Sequence, residues 1–380
     1  MGNQPCDLKP RDSAYPFISV STTCGFYRAA EGYEGMSPRT QAKPSGDRPD
    51  WSHDFLEVWQ AALGFYKIWV LHLGRRYGIL TALSRAEKPV SVVEMSKALS
   101  LSEQAVALWC EAAYSTGLIR KEATRYFLPR RLVPLLVDED SVQFVGGLPS
   151  YLALRSLDFG SFDQLFRNGG VAKSLANMGD AFREGTVWDH AAFIRLILPN
   201  ETELRHSLEV GARVLDVGAG SGGWSIKLAG RYPKSKFLGV DPDSRAIAKA
   251  RSDAAEHGLK NAKFSVRSAG EIGQSGVFDV AYLGEVLYLM QERRKILQSC
   301  HAALRKGGVL VVCEGLIGGG SGAHRLENQL VQSMQLDFAL QGGRFFTKKE
   351  LARLLQSAAF DSVRFHDVGG GLWFAVALKQ

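Results

Sequence analysis

Apolar residues recur at three- and four-residue spacing from Asp54 to Leu83, in "DFLEVWQAALGFYKIWVLHLGRRYGILTAL". That is the period of one helix face, so a long or broken amphipathic helix is predicted there. The rhythm then changes in "SVVEMSKALSLSEQAVALWCEAAYSTGLIRKEATRYFLP". Ser91 stands three residues before Glu94, the reciprocal capping pattern that starts a helix. Ser102 caps a second helix, and Gly117 suits its C-terminal stop. "LIRK" and "RYFL" follow as two short alternating strands around a turn. Helix, helix, turn, helix and a two-strand wing predict an α-helical winged-helix domain over residues 51–139. Residues 140–205 read as a helical connector rich in aromatics, and as one wall of a substrate pocket. Residues 1–50 show neither period and are rich in Gly, Pro, Ser and Thr, the composition of a disordered tail.

From Val210 onward strands and helices alternate: "ARVLDVG", "KFLGVD", "AKFSVR", "FDVAYLG" and "VLVVCEG" are each followed by a polar or amphipathic segment. Such alternation predicts an α/β fold, a Rossmann-like doubly wound seven-stranded sheet over residues 206–380. The last two apolar runs, "SVRFHDV" and "LWFAVALK", are separated by Gly369, Gly370 and Gly371. That is too short for a parallel crossover, so a terminal antiparallel hairpin is predicted.

Composition narrows the class. At 380 residues the chain is long enough for two cores, and 46% hydrophobic content is that of a globular protein. Charges interrupt every apolar run short of a membrane span. Cys6, Cys24, Cys110, Cys300 and Cys313 show no paired spacing, which points to a reducing compartment, the cytoplasm, with neither a disulfide framework nor a metal site. The net charge of +7 is spread along the chain, with a local excess at Arg120, Lys121, Arg125, Arg130 and Arg131. A base-reading helix needs Arg, Lys, Asn or Gln on its outer face. Between Leu101 and Gly117 there is no basic residue, while Glu103 and Glu111 would repel phosphate. The helical unit therefore reads as a packing or dimerisation module, and nucleic acid is disfavoured as a partner.

The stretch "RVLDVGAGSGGW" carries the chemistry. Gly218, Gly220 and Gly223 satisfy the spacing of a dinucleotide-binding turn, which exposes helix N-terminal amides to a ligand. Asp216 sits at the preceding strand end, where a carboxylate opposes a pyrophosphate and favours an ammonium. S-adenosylmethionine has that character: no phosphate, an ammonium and a sulfonium. Asp241, ending the next strand, is placed to accept ribose hydroxyls or to cap the helix that follows. "VRSAGEI" puts Ala269 and Glu271 after the third strand, and "YLGEVLYLM" puts Glu285 and Tyr288 after the fourth. All lie at the carboxyl edge of the sheet, where ligands of open α/β sheets bind.

Together, "LDVGAGSGGW", the acid of "GVD", "FDVAYLGEVLYLM", "LRKGGVLVVCEG" and the terminal hairpin resemble a class I S-adenosylmethionine-dependent methyltransferase domain. With the winged-helix unit in front, residues 55–380 are similar to small-molecule O-methyltransferases, whose N-terminal helices exchange contacts across a homodimer. The resemblance implies that Asp216, Gly218 and Gly220 hold the methionine part of S-adenosylmethionine, and Glu285 is a further cofactor-binding candidate. It gives Asp241 the ribose, and Ala269 and Glu271 the adenine. Ser268-Ala269 departs from the family's usual Gly-Asp pair. Trp188 and Tyr288 are candidate substrate contacts.

In that family a His-Asp-Trp triplet after the fourth strand supplies the base. Here it falls on Tyr288, Leu289 and Met290, so the familiar histidine is absent. Tyr288, His190 and His324 are the remaining candidates for proton transfer. The reading is methyl transfer to a small-molecule acceptor through oxygen, nitrogen or carbon. The alternative is a noncatalytic S-adenosylmethionine-binding winged-helix regulator.

Overall fold

The computed structural model describes residues 52–172, 174–318 and 326–380. The predicted tail, residues 1–50, lies outside them, as does His324. The predicted first helix is broken into α1 (His53–Arg76) and α2 (Ile79–Arg85) at Gly78, whose φ of 71° a residue with a side chain resists. Next come β1 (Val90–Ser91), α3 (Val92–Leu99), α4 (Glu103–Ser115), β2 (Arg120–Glu122) and β3 (Arg125–Phe127). The three short strands pair antiparallel in the order β1-β3-β2. Both halves of the Ser91–Glu94 capping box form, and Ser102 accepts from the Ala105 amide to cap α4. Leu83, Met95, Val106, Trp109, Ile119 and Tyr126 close one core over this unit.

The connector consists of α5 (Val133–Leu136), α6 (Gly147–Ser156), α7 (Phe162–Asn168), α8 (Met178–Gly185), α9 (Val187–Ala192), a π-helical turn at Phe193–Ile197, and α10 (Thr202–Val210). The sheet domain then runs β4 (Arg213–Val217), α11 (Gly223–Arg231), β5 (Lys236–Asp241), α12 (Ser244–Glu256), β6 (Ala262–Val266), β7 (Phe278–Gly284), α13 (Arg293–Ala303) and β8 (Leu304–Gly315). It ends with α14 (Leu326–Ala339), α15 (Lys348–Ser357), β9 (Asp361–Gly369) and β10 (Leu372–Leu378).

The seven strands lie in the order β6-β5-β4-β7-β8-β10-β9. β4 through β8 are parallel, and β10 is antiparallel to both β8 and β9, as the short glycine link requires. Alternate side chains supply two cores. Leu215, Leu310 and Val312 face one layer of helices, while Val214, Val311 and Cys313 face the other. In the second layer Trp224 lies flat on Tyr282, 3.8 Å between ring centroids and 1° apart in plane.

One boundary differs from the sequence reading. "LRKGG" continues the α13 helical pattern on paper, yet β8 begins at Leu304. Its pairing with β7 is irregular between Phe278 and Val280, and Gly307 turns the chain at a φ of 75°. A second capping box, Thr347 with Glu350, starts α15. No described helix is long and apolar enough to cross a membrane.

Candidate active site

The glycine turn joins β4 to α11. The Gly218 and Ala219 amides are spent on the Val240 carbonyl, at 2.8 and 3.1 Å, which folds the turn back over β5. Gly218 has a φ of 76°, and a Cβ there would stand 2.8 Å from the Val286 side chain, so the turn packs directly against the segment after β7. Gly220 also has a positive φ, 53°, but a Cβ there would meet nothing within 4 Å. The turn is therefore closed on its protein side at Gly218 and open at Gly220.

Two carboxylates flank this opening. Asp216 is buried, and its Oδ2 accepts from the Ser225 hydroxyl at 2.7 Å. Burial pushes it up to about 7, with Ser225 opposing and the neighbouring Asp241 adding to the rise. Asp241 accepts from the Gly220 amide at 3.0 Å and the Asp243 amide at 2.8 Å. Burial also raises its carboxyl, against those two backbone bonds. Asp243 takes the capping role on α12 that the sequence offered to Asp241. Each Asp241 oxygen keeps a second lone pair.

Ala269 and Glu271 occupy a short 3-10 turn after β6. Ala269 packs partly into the core, and Glu271 is exposed.

The segment after β7 holds the remaining residues. Glu285 adopts a left-handed φ of 54°, a strained conformation for a residue with a side chain. Its Oε1 is buried without a hydrogen-bond partner. Glu314, at the end of β8, is fully buried and accepts from the Leu287 amide at 2.6 Å, which pins the turn of residues 287–289. Tyr288 is fully buried, edge-on to Phe338 at 4.5 Å, and its hydroxyl also lacks a partner. Burial, then Glu285 and Glu314, push that phenol well above its ordinary value, which removes it as a base at neutral pH.

α9 covers this edge. His190 lies where a Cβ on Gly223 would come within 3.0 Å of its ring, so it abuts the start of α11. Burial, with Lys227 nearby, lowers His190 to about 3 and keeps the imidazole neutral. Trp188 donates to the Val142 carbonyl at 3.2 Å and packs on Gly370 of the terminal hairpin turn. Between them in sequence, Asp189 reaches the sheet edge, where its carboxylate, that of Glu285 and the Cys313 thiol lie within 4.8 Å of one another.

Asp189, Ser225 and Glu314 were not singled out as ligand contacts by the sequence. Glu314 alone left a signal there, an acid ending an otherwise apolar strand. His301, on α13, packs edge-on with Phe360 at 5.1 Å.

Residues 208–359 match a family profile described as a methyltransferase domain. Trans-aconitate 2-methyltransferase of Deinococcus radiodurans is 34% identical over 101 residues, 27% of this chain, and the chain spans only 37% of that relative's length. Among solved structures, human N-acetylserotonin methyltransferase in complex with S-adenosylmethionine superposes with a TM-score of 0.64 at 18% identity, covering 88% of this chain and 99% of that one. An O-methyltransferase family protein from Burkholderia thailandensis gives 0.57 at 15% identity, covering 86% and 98%. At these identities the likeness is one of fold.

Proposed function

We propose that this chain, whose C-terminal half is a class I methyltransferase domain, uses S-adenosylmethionine to methylate a small molecule. The observation that carries this reading is the pairing of an open glycine turn with one buried and one half-buried acid. Asp216 and Asp241 stand at the ends of adjacent strands around Gly220, with no Lys or Arg paired to either among the described residues. That donor set suits a cation and opposes a pyrophosphate.

Asp241 would hold the ribose hydroxyls with its spare lone pairs. Asp216 and the Gly218–Gly220 turn would hold the methionine part, and the Ala269 turn, with Glu271, would flank the adenine. The cofactor supplies a methyl group already activated by its sulfonium. What is left to the protein is to align the acceptor and take its proton. Trp188 and Tyr288 would help to shape the acceptor side, and of the imidazoles His190, neutral and against the turn, is a positioning group.

The regulator alternative has less support. Lys121 pairs with Glu111 at 2.9 Å and Arg125 with Glu94 at 2.6 Å, so two basic side chains of the winged-helix unit are engaged within it. A homodimer through α1 is supported by its exposed apolar residues, Val58, Trp59 and Tyr66 being 73%, 64% and 69% exposed. A cytoplasmic location is supported by the free, buried thiols of Cys110, Cys300 and Cys313.

The test is transfer of a radiolabelled methyl group from S-adenosylmethionine to a panel of aromatic alcohols, amines and activated carbons. Label in any of them, lost with Asp241→Ala, is expected. Stoichiometric cofactor binding with no transfer to the panel would favour the regulator.

A further inference from the structure

Glu285, Asp189 and Glu314 make an acidic wall, and two of its three carboxyls, Asp189 and Glu314, have no part in the cofactor contacts above. Asp189 is 4% exposed and Glu314 fully buried, and both carboxyls are raised well above their ordinary range by burial and by the Glu285 charge. Burial likewise pushes Glu285 up to about 7, with the Gly315 amide opposing. Among the described residues no Lys or Arg pairs with Asp189 or Glu285; the groups facing them include Tyr288, Tyr151, Tyr282, Cys313, Glu314 and one another. Arg293, which feels the Glu314 charge, is turned onto the Leu287 and Tyr288 carbonyls.

A cluster of acids alone would be only a cost to the fold. Here the fully buried Tyr288 hydroxyl stands near the Glu285 carboxyl but has no partner at hydrogen-bonding distance and angle, and Glu285 Oε1 likewise has none. Buried polar atoms of this kind are normally satisfied, so both point to a group that is brought in. A phenolate or enolate acceptor would have to develop negative charge against this wall. An ammonium would enter as the missing counter-ion, and a methylated ammonium would leave with the same charge.

We propose that the acceptor is a basic amine, its ammonium held between Asp189 and Glu285 beside the Tyr288 hydroxyl, with Glu285 as the group that removes its proton. This rests on the methyl-transfer reading and names its substrate class. Ionised Glu285 takes one N–H proton and frees the nitrogen lone pair. The N–C bond forms as the C–S bond breaks, the electron pair of that bond stays on sulfur, and the neutral thioether product leaves. The proton on Glu285 passes to solvent when the site opens. Glu285 thus stands in, from three residues upstream, for the histidine that position 288 lacks.

The test uses the full-length protein saturated with S-adenosylhomocysteine. It is titrated by calorimetry with 2-phenylethylamine and, separately, with the uncharged isostere 2-phenylethanol. The amine is expected to bind at least tenfold more tightly. Glu285→Gln and Asp189→Asn are each expected to abolish that preference, and Asp189→Asn to leave S-adenosylhomocysteine affinity within threefold of wild type. Two variants are used because either substitution alone could unfold the edge, which the melting curve reports. Equal or weaker binding of the amine, or no binding of either probe, overturns the proposal. So does a parallel loss of S-adenosylhomocysteine affinity in both variants, which would assign the wall to the cofactor's own ammonium. Failure of the wild type to bind S-adenosylhomocysteine at all would instead sink the methyl-transfer reading beneath it.

Discussion

The Ser225 hydroxyl donates to Asp216 across 2.7 Å, tying the first turn of α11 to the end of β4 beneath the glycine turn. Even with that bond, burial holds the Asp216 carboxyl up to about 7, and Glu285 likewise. The folded protein therefore keeps protons between about pH 4 and pH 7 that the unfolded chain has released. Stability falls as pH rises through that window, by at most about 1.4 kcal/mol per unit for each group. The melting temperature should be higher at pH 5 than at pH 8, and Asp216→Asn should flatten the slope. Cofactor binding should run the other way, since an ammonium needs the ionised carboxylate. Calorimetry in two buffers of different ionisation enthalpy would show proton release on binding at pH 6; proton uptake would contradict the assignment.

The glycines of the turn separate stability from binding. A Cβ on Gly222 would stand 2.6 Å from the Phe264 ring and 3.0 Å from Ala250, at a φ of 79°. Gly222→Ala should cost roughly 2–4 kcal/mol through overpacking and left-handed strain together. At Gly220 only the conformational term applies, about 1 kcal/mol. Its new methyl would project into the opening, so Gly220→Ala should weaken S-adenosylhomocysteine binding far more than it lowers the melting temperature. Thermal melts and titrations of both variants test the split, and matching losses in both readouts would refute it.

How much of this was legible in the sequence follows from which contacts are local. The Ser91–Glu94 box, the Ser102 cap and the Gly369–Gly371 hairpin each depend on neighbours a few residues apart, and each forms as read. The glycine turn and its two flanking acids were legible because strand ends in a parallel sheet share one edge. The approach of Asp189 to Glu285 was not, because nothing in local spacing says that α9 crosses the edge of β7 and β8. The start of β8 at Leu304 was hidden for a related reason: pairing with β7 overrides the helical pattern of "LRKGG".

A long-range network of the same kind holds α14 to the connector. Arg155, fully buried on α6, donates through Nε to Asp337 at 2.9 Å and through Nη1 to Asp158 at 2.8 Å, while the Tyr151 hydroxyl also donates to Asp337. Asp337→Ala leaves Arg155 with Asp158 alone and takes the acceptor from the buried Tyr151 hydroxyl, so it should cost roughly 3–5 kcal/mol. Arg155→Met with Asp337→Leu should cost less than the sum of the two single changes, because their shared pair is lost only once; Asp158 then keeps the Asn177 amide at 2.9 Å. Chemical denaturation of the single and double variants measures this. An additive double variant would show that the two side chains are not coupled.

The exposed face of α1 makes a separate claim. Trp59→Glu together with Val58→Glu should convert a dimer to a monomer in sedimentation velocity without loss of helicity. A wild-type protein that sediments as a monomer at micromolar concentration would remove α1 as a self-association surface.

The central claim is that the edge formed by Asp216, Gly220 and Asp241 takes a cationic methyl donor and not a dinucleotide. It is tested most directly by titrating the purified protein with S-adenosylhomocysteine and, separately, NADH, with Asp241→Ala as control. Micromolar binding of the first alone, weakened at least tenfold in the variant, is the result predicted from two lost charge-assisted hydrogen bonds of about 1.5–3 kcal/mol each. Selective binding of NADH would contradict it.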